Sequence, residues 1–195
     1  MIGEIDRNLF LFLNGINSPF WDEVMWIISA KATWIPLYLF ILWLFVRNHG
    51  RKTVVIILFV AAAITLSDQL SVHAFKDVFQ RLRPCHEPDL EGLVHIVRGK
   101  CGGRYGFVSS HAANSFSIAL FALLLLKRRW LSILLVSWAL VVSYSRIYLG
   151  VHYPGDILGG AMLGSLTGWL LWYAYRYTES NMLNQIPWFR PGRRQ

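Results

Sequence analysis

Two histidines, an aspartate and three cations lie in short segments whose residue types suit phosphate chemistry. His152 is followed four residues later by Asp156, and His111 follows a pair of serines, Ser109 and Ser110. The three cations are Lys76, Arg83 and Arg146. Because no matching set of carboxylates accompanies them, they predict a receptacle for a dense anion, and guanidinium groups match the geometry of phosphate oxygens.

The two histidines can divide the work of phosphoryl transfer. One imidazole can attack phosphorus while the other protonates the leaving oxygen, which needs one neutral and one protonated ring. Asp156 can hold an N–H of His152 and thereby fix the tautomer of that ring. Ser109 and Ser110 are favourable at the start of a helix, where their hydroxyls and the amides that follow can cradle a phosphate.

These residues lie in three blocks that resemble the type 2 phosphatidic acid phosphatases, integral-membrane lipid phosphate phosphatases related to bacterial acid phosphatases and vanadium haloperoxidases. Residues 76–84 fit the Lys-x6-Arg-Pro of that family, and residues 145–156 fit its Ser-Arg-x5-His-x3-Asp. The middle block, usually Pro-Ser-Gly-His, reads Val108-Ser109-Ser110-His111 in this chain.

The resemblance implies a role for each residue of the blocks. His152 is the implied nucleophile, forming a phosphohistidine that water hydrolyses, while Asp156 orients it and His111 is the general acid. The implied phosphate ligands are Lys76, Arg83, Ser109, the amide of Ser110, and Arg146. No metal and no other cofactor is expected. A serine replaces the glycine of the family at Ser110, so we expect an altered shape there with activity retained.

Each of these residues also has a simpler explanation when taken alone. Asp156 and the two serines can cap helices, and the cations can extend to lipid headgroups from helix ends. Single histidines more often pack or form hydrogen bonds than catalyse. The joint spacing of the three blocks favours the phosphatase interpretation. A metal site that includes His73, His86 and His95 is disfavoured because their spacing is irregular. Arg81 is interpreted either as a flanking charge or as one that supports the residues of the site.

The composition indicates that the bilayer is the solvent of this chain. Of 195 residues, 55% are hydrophobic and 15% are charged. Soluble domains usually have about 45–50% apolar and about 25% charged residues. Nine tryptophans and long uncharged runs exclude a disordered chain and a nucleic-acid-binding arm, so no nucleic-acid partner is expected.

Five apolar runs predict an all-α bundle of about five transmembrane helices. The runs are 34–46, 53–66, 112–126, 130–144 and 157–175. A helix needs about 20 residues to cross the hydrocarbon core, so several of these helices must extend into their polar flanks. Residues 1–20 carry charges before a short apolar patch and predict an interfacial helix. The chain, 1–195, is treated as one membrane phosphatase domain.

Charge distribution predicts the orientation of the bundle. The loops after the first and third runs and the C-terminal end hold ten basic residues and one acid, whereas the rest of the chain holds nine basic residues and ten acids. Because cytoplasmic loops are enriched in Lys and Arg, we expect those connections in the cytoplasm, including a basic tail at 186–195. The active-site loop at 76–110 then faces the outside of an inner membrane.

Two cysteines lie in this outer loop. Cys85 and Cys101 are sixteen positions apart. In an oxidising compartment they can form a disulfide, and two free thiols are the alternative.

The site and the bundle together predict metal-independent hydrolysis of a lipid phosphomonoester or pyrophosphate, with the lipid tail entering sideways between helices. Undecaprenyl pyrophosphate is the first choice of substrate, and phosphatidylglycerophosphate and a lipid A phosphate are alternatives. The three blocks recognise the phosphate and leave the tail to the helix faces. A lipid phosphotransferase and a non-catalytic anion or lipid carrier also stay open, and the oligomeric state is not encoded in these features.

Overall fold

The chain folds as a helical bundle. The computed structural model describes residues 2–189, and that part of the chain contains helices and loops without a strand. The helices are α1 Ile2–Gly15, α2 Pro19–Ser29, α3 Ile35–His49, α4 Thr53–Gln69, α5 Ser110–Leu126, α6 Arg129–Tyr148 and α7 Pro154–Asn181. The all-α membrane architecture is therefore confirmed. Residues 190–195, most of the expected basic tail at 186–195, lie outside the described residues.

Three of the apolar stretches have the length that a bilayer requires. Within residues 2–189, three stretches are long and apolar enough to cross it: Lys31–Phe79, Arg129–Tyr148 and Pro154–Gln185. The first stretch contains both α3 and α4, which are separated at Gly50, where φ is +54°. Helix α5 is a shorter apolar helix. Each of the five apolar runs in the sequence thus corresponds to one helix, from α3 to α7.

Helix α4 continues further than the sequence predicts. Its path runs on through a π-helical segment, Leu70–Lys76, and a last turn, Asp77–Phe79. It ends where Gln80 adopts a left-handed conformation with φ of 47°. The outer loop predicted at 76–110 is therefore wrong at both ends, since its first and last residues are helical and the loop itself is 80–109.

The reason for this extension is that the polar residues after the apolar run have partners inside the bundle. Ser67 Oγ lies 2.5 Å from Thr167 Oγ1, and Ser71 Oγ lies 2.6 Å from Ser110 Oγ. These buried hydroxyls form their hydrogen bonds inside the bundle, so the helix can continue without exposing them to water. The helix consequently carries Lys76 up to the level at which α5 begins.

The two ends of the bundle are closed by different contacts. At one end, Lys52 Nζ donates to Glu179 at 2.9 Å and joins the start of α4 to the end of α7. At the other end, the amide of Ser109 donates to the carbonyl of Asp156 at 3.0 Å and joins the starts of α5 and α7. We call this second end the His152 end.

Helices α5 and α7 pack at very short distance. Gly160, Gly164 and Gly168 recur every fourth residue on the face of α7 that meets α5. A Cβ at Gly160 would lie 2.5 Å from the carbonyl oxygen of Ser109, and one at Gly168 would lie 2.5 Å from that of Ser117. Small residues at such spacing let two helix backbones approach within a membrane. This contact fixes the position of the α5 start beside the α7 start.

Helix α1 packs against the His152 end. The ring of Phe10 lies 5.3 Å from that of Tyr153, centroid to centroid, and Asn14 donates to the carbonyl of Tyr148 at 2.8 Å. The helix predicted at 1–20 ends at Gly15, and one of its faces is buried against the loop between α6 and α7. Its opposite side exposes an apolar stripe, Ile5, Leu9 and Phe12. The interfacial placement of α1 stays a prediction, and an exposed apolar stripe is what such a placement requires.

The loop 80–109 folds back on itself beside the site. Leu82 and Tyr105 form an isolated antiparallel bridge. The structure joins Cys85 and Cys101 as a disulfide, with their Cα atoms 5.9 Å apart. These contacts hold the two halves of the loop together.

The close contact between α5 and α7 generates a stability prediction. Gly164→Ala places a Cβ against the backbone of Ala113, so we expect the free energy of unfolding to fall by about 1–3 kcal/mol even though alanine favours helix. Gly15→Ala is the control, because no atom lies within 4 Å of its Cβ position. Thermal unfolding in detergent measures both variants, and equal stability of the two would contradict the packing argument.

Candidate active site

The start of α7 holds His152 and Asp156 side by side. His152 lies in the short loop before the helix, and its Nδ1 is 3.3 Å from Asp156 Oδ2. The same carboxylate oxygen accepts a hydrogen bond from the amide of Tyr153 at 2.9 Å. Both ionisable side chains are buried, with exposed fractions of 2% and 0%. With Nδ1 directed at Asp156, the other ring nitrogen, Nε2, is the one that can face a reactant.

The surroundings of His152 favour its neutral form. Burial lowers the pKa of His152 well below 6.5, and the positive charges of Arg83, Arg146 and Lys76 lower this pKa further. A hydrogen bond with the backbone of Gly106 opposes these effects and is the smallest of them. The ring therefore has an unprotonated nitrogen at neutral pH, as a nucleophile requires.

The three cations reach His152 from three different elements. Lys76 comes from the extension of α4, Arg83 from the loop 80–109, and Arg146 from the last turn of α6. Arg83 Nε donates to the carbonyl of Tyr105 at 3.2 Å, and Arg146 donates to the hydroxyl of Ser29. Burial lowers the pKa of Arg83. All three cations thus lie close enough to His152 to act on its charge, and their role as an anion receptacle stays a prediction.

The serine pair begins α5 as the sequence indicates. Ser109 is fully buried and is the N-cap, with its hydroxyl 3.5 Å from the amide of Ala112. The hydroxyl of Ser110 accepts a hydrogen bond from Lys76 Nζ at 2.6 Å. The amides of Ser110 and His111, in the same turn, have no carbonyl partner within the helix, and amides at this position of a helix can bind an anion. The side chain that replaces the glycine of the family is thus turned toward a cation.

His111 lies in the first turn of α5, at the edge of a cavity of about 430 Å³. It interacts electrostatically with Arg146, His152 and Arg83. The structure therefore brings both histidines, the three cations, Asp156 and the serine pair to one place, the His152 end of the bundle.

Sequence reasoning missed Asp6 and Gly106 and left the role of Arg81 open between a flanking and a supporting charge. The structure favours the supporting role, because Arg81 donates to Asp156 Oδ1 at 2.9 Å and to Asp6 Oδ2 at 2.7 Å. A Cβ at Gly106 would lie 3.0 Å from Asp156 Oδ2 and 3.5 Å from His152 Nδ1. Arg81 lies inside the first motif block, and this position was a signal that it contributes to the site. No local pattern marks Asp6 or Gly106.

The three histidines considered for a metal site have other partners. His73 pairs with Asp77 at 3.1 Å, and His95 Nε2 lies 2.8 Å from Asp22. His86 is close to Cys85 and Cys101, but the two sulfurs are bonded to each other. A disulfide does not offer the thiolates that a metal such as zinc binds.

The chain matches a family model over most of this assembly. The model is described as the PAP2 superfamily and matches residues 53–180, well over half of the chain. All eight predicted site residues lie within that range. The chain belongs to the PAP2 superfamily. The resemblance drawn from the three blocks is confirmed, as is the prediction that the chain is a phosphatase.

Three relatives of this PAP2 chain are informative. It is 41% identical over 188 residues to a lipid A 4'-phosphatase of Bacteroides thetaiotaomicron, covering 95% of this chain and 84% of the relative. It is 34% identical over 158 residues to an undecaprenyl-diphosphatase of Sulfolobus acidocaldarius, covering 81% and 69%. The crystal structure of Aquifex aeolicus LpxE matches with a TM-score of 0.65 and 26% identity, covering 84% of this chain and 92% of that one.

Gly106 gives a prediction about the PAP2 site. Gly106→Ala presses a methyl group toward Asp156 and His152, and we expect kcat for phosphate release to fall about tenfold because small displacements of reacting groups are costly. Gly103→Ala is the matched control in the same loop, since no atom lies within 4 Å of its Cβ position. Equal kcat values for the two variants would show that the close contact of Gly106 with Asp156 and His152 does not affect the reaction.

Proposed function

We propose that this PAP2 protein removes the 4'-phosphate of a lipid A at the outer face of the inner membrane. The observation that carries the choice of substrate is the 41% identity to a lipid A 4'-phosphatase over 95% of this chain, a match that includes the helix faces outside the motif blocks. Undecaprenyl pyrophosphate, the first choice from the sequence, has weaker support, because the relatives named for it are less similar, at 31% identity over 97% of this chain and 34% over 81%.

In the proposed reaction, His152 attacks the phosphorus. Its neutral Nε2 supplies the electron pair of the new N–P bond while the P–O bond to the sugar breaks. Lys76, Arg83 and Arg146 neutralise the charge that develops on the non-bridging oxygens, and the first amides of α5 add hydrogen bonds. Asp156 holds Nδ1 and stabilises the positive charge that the ring acquires.

His111 is proposed to give its proton to the departing sugar oxygen. A bound phosphate brings negative charge into a cluster of cations and thereby favours the protonated imidazole. The product alcohol then leaves, and His111, now neutral, accepts a proton from the water that attacks the phosphohistidine. Inorganic phosphate is released and His152 returns to its starting form.

The cavity beside His111 is the proposed place for a hydrocarbon tail. Its wall along α3 is formed by Tyr38, Ile41 and Phe45, with Trp34 just before the helix, and their spacing of four, three and four residues puts them on one face. The eleven steps from Trp34 to Phe45 correspond to about 16 Å at 1.5 Å per residue. An apolar cavity that begins at the general acid lets the tail stay out of water while the phosphate meets the cations.

The proposed orientation places the His152 end outside and the C-terminal end in the cytoplasm. The charge distribution of the loops supports it. So does the disulfide between Cys85 and Cys101, because such bonds persist in oxidising compartments. The apolar stripe of α1 is then available to the outer surface of the membrane.

The decisive experiment measures phosphate release by the purified protein in detergent with excess chelator. The substrates are lipid A phosphorylated only at the 4' position, lipid A phosphorylated only on the other sugar, undecaprenyl pyrophosphate and phosphatidylglycerophosphate. We expect the 4'-phosphate to turn over fastest, without loss in chelator, because protein cations occupy the charge-neutralising positions. His152→Ala should abolish turnover.

Each other outcome removes part of the proposal. Faster hydrolysis of undecaprenyl pyrophosphate rejects the substrate, and full activity of His152→Ala rejects the nucleophile. Transfer of the phosphate to an added lipid acceptor instead of its release indicates a phosphotransferase. Binding without any turnover indicates a carrier.

The cavity generates its own prediction. Ile118→Phe narrows the cavity below His111, so we expect KM for the lipid substrate to rise about tenfold, while hydrolysis of the tailless substrate p-nitrophenyl phosphate stays unchanged. Leu140→Phe, on an exposed side of α6, is the control. If both substrates are affected alike, the cavity does not hold the tail.

A further inference from the structure

An acid from the N-terminal helix reaches the start of α7. Asp6 Oδ1 accepts a hydrogen bond from the amide of Gly155 at 2.7 Å, and Asp6 Oδ2 accepts one from Arg81 at 2.7 Å. The same guanidinium donates through its other terminal nitrogen to Asp156 Oδ1 at 2.9 Å. A continuous set of charge-assisted hydrogen bonds therefore runs from α1 to the carboxylate beside His152.

Each oxygen of the Asp156 carboxylate has a defined partner. Oδ2 faces the amide of Tyr153 and Nδ1 of His152, and Oδ1 faces Arg81. The position of Arg81 thus decides how Asp156 presents Oδ2 to the ring. Arg81 also stacks over the ring of Tyr153, with its central carbon 4.1 Å from the centroid.

The position of Arg81 depends in turn on Asp6. Their side chains are 31% and 14% exposed, so the pair is partly shielded from water. Without the carboxylate of Asp6, one terminal nitrogen of the guanidinium loses its anionic partner. Such supporting hydrogen bonds commonly set the orientation of groups that do chemistry.

We propose that Asp6 is a positioning residue for the phosphatase reaction, acting through Arg81 on Asp156 and so on His152. The proposal rests on the proposed role of His152 as nucleophile. It assigns to α1, which has none of the motif residues, a part in the chemistry beyond its packing.

A second ion pair between helix α1 and the rest of the protein provides a matched control. Arg7 and Asp89 approach to 3.6 Å and likewise tie α1 to the loop 80–109, but they are more exposed. If the only role of Asp6 is to hold α1 in place, Asp89→Asn should resemble Asp6→Asn. Asparagine at position 6 keeps an oxygen for the amide of Gly155 and removes the charge that faces Arg81.

The test measures kcat and KM with p-nitrophenyl phosphate and with the 4'-phosphorylated lipid A, together with thermal unfolding. We expect Asp6→Asn to lower kcat about tenfold to a hundredfold with KM within about twofold, and Asp89→Asn to leave kcat unchanged. Because Asp6 acts through Arg81, Asp6→Asn combined with Arg81→Gln should lose no more kcat than Arg81→Gln alone.

Three results would overturn the inference. The first is a kcat for Asp6→Asn equal to that of Asp89→Asn, and the second is losses that multiply in the double variant. The third is a fall in kcat accounted for by a fall in the folded fraction. Absence of turnover by the unmodified protein with every phosphate tried would instead reject the proposed function, which separates the two failures.

Discussion

The close contact between α5 and α7 is the constraint on which the site depends. Three glycines on α7 remove the side chains that would hold the two backbones apart. The two helix starts then come within hydrogen-bonding distance, Ser109 amide to Asp156 carbonyl. One start carries the serine pair and His111, and the other follows His152 directly, so a single packing contact brings together groups that are some forty residues apart in the chain.

Charge balance explains why the rest of the assembly is built around these two helix starts. Lys76, Arg83 and Arg146 are partly withdrawn from water, and the carboxylates that act on them are Asp156, which Arg81 also contacts, and Asp68, which acts on Lys76. Positive charge that is buried without enough counter-charge is costly to maintain. Hydrogen bonds to Ser110, Tyr105 and Ser29 fix the three cations in place. An anion with several oxygens, such as a phosphate group, offsets this unfavourable free energy when it binds.

The sequence predicted the parts of this arrangement that depend on local spacing. His152 and Asp156 are four residues apart, and the contact predicted between them is present at 3.3 Å. The end of α4 was mispredicted because its polar residues are stabilised by hydroxyls on α5 and α7, distant in sequence. Asp6 could not be predicted as part of the assembly for the same reason, since its partner Gly155 is 149 residues away. Contacts of that range follow from packing and leave no periodic signal.

The disulfide of the loop 80–109 has a consequence for how the protein matures. Arg83 donates to the carbonyl of Cys101 at 3.3 Å, so one of the three cations is attached to the chain segment that the disulfide closes. A newly made chain in a reducing cytoplasm lacks this bond. In the proposed orientation, the loop is oxidised only after it has crossed the membrane. The cations of the proposed phosphate site then reach their final arrangement on the outer side, so the completed site does not meet the phosphate esters of the cytoplasm.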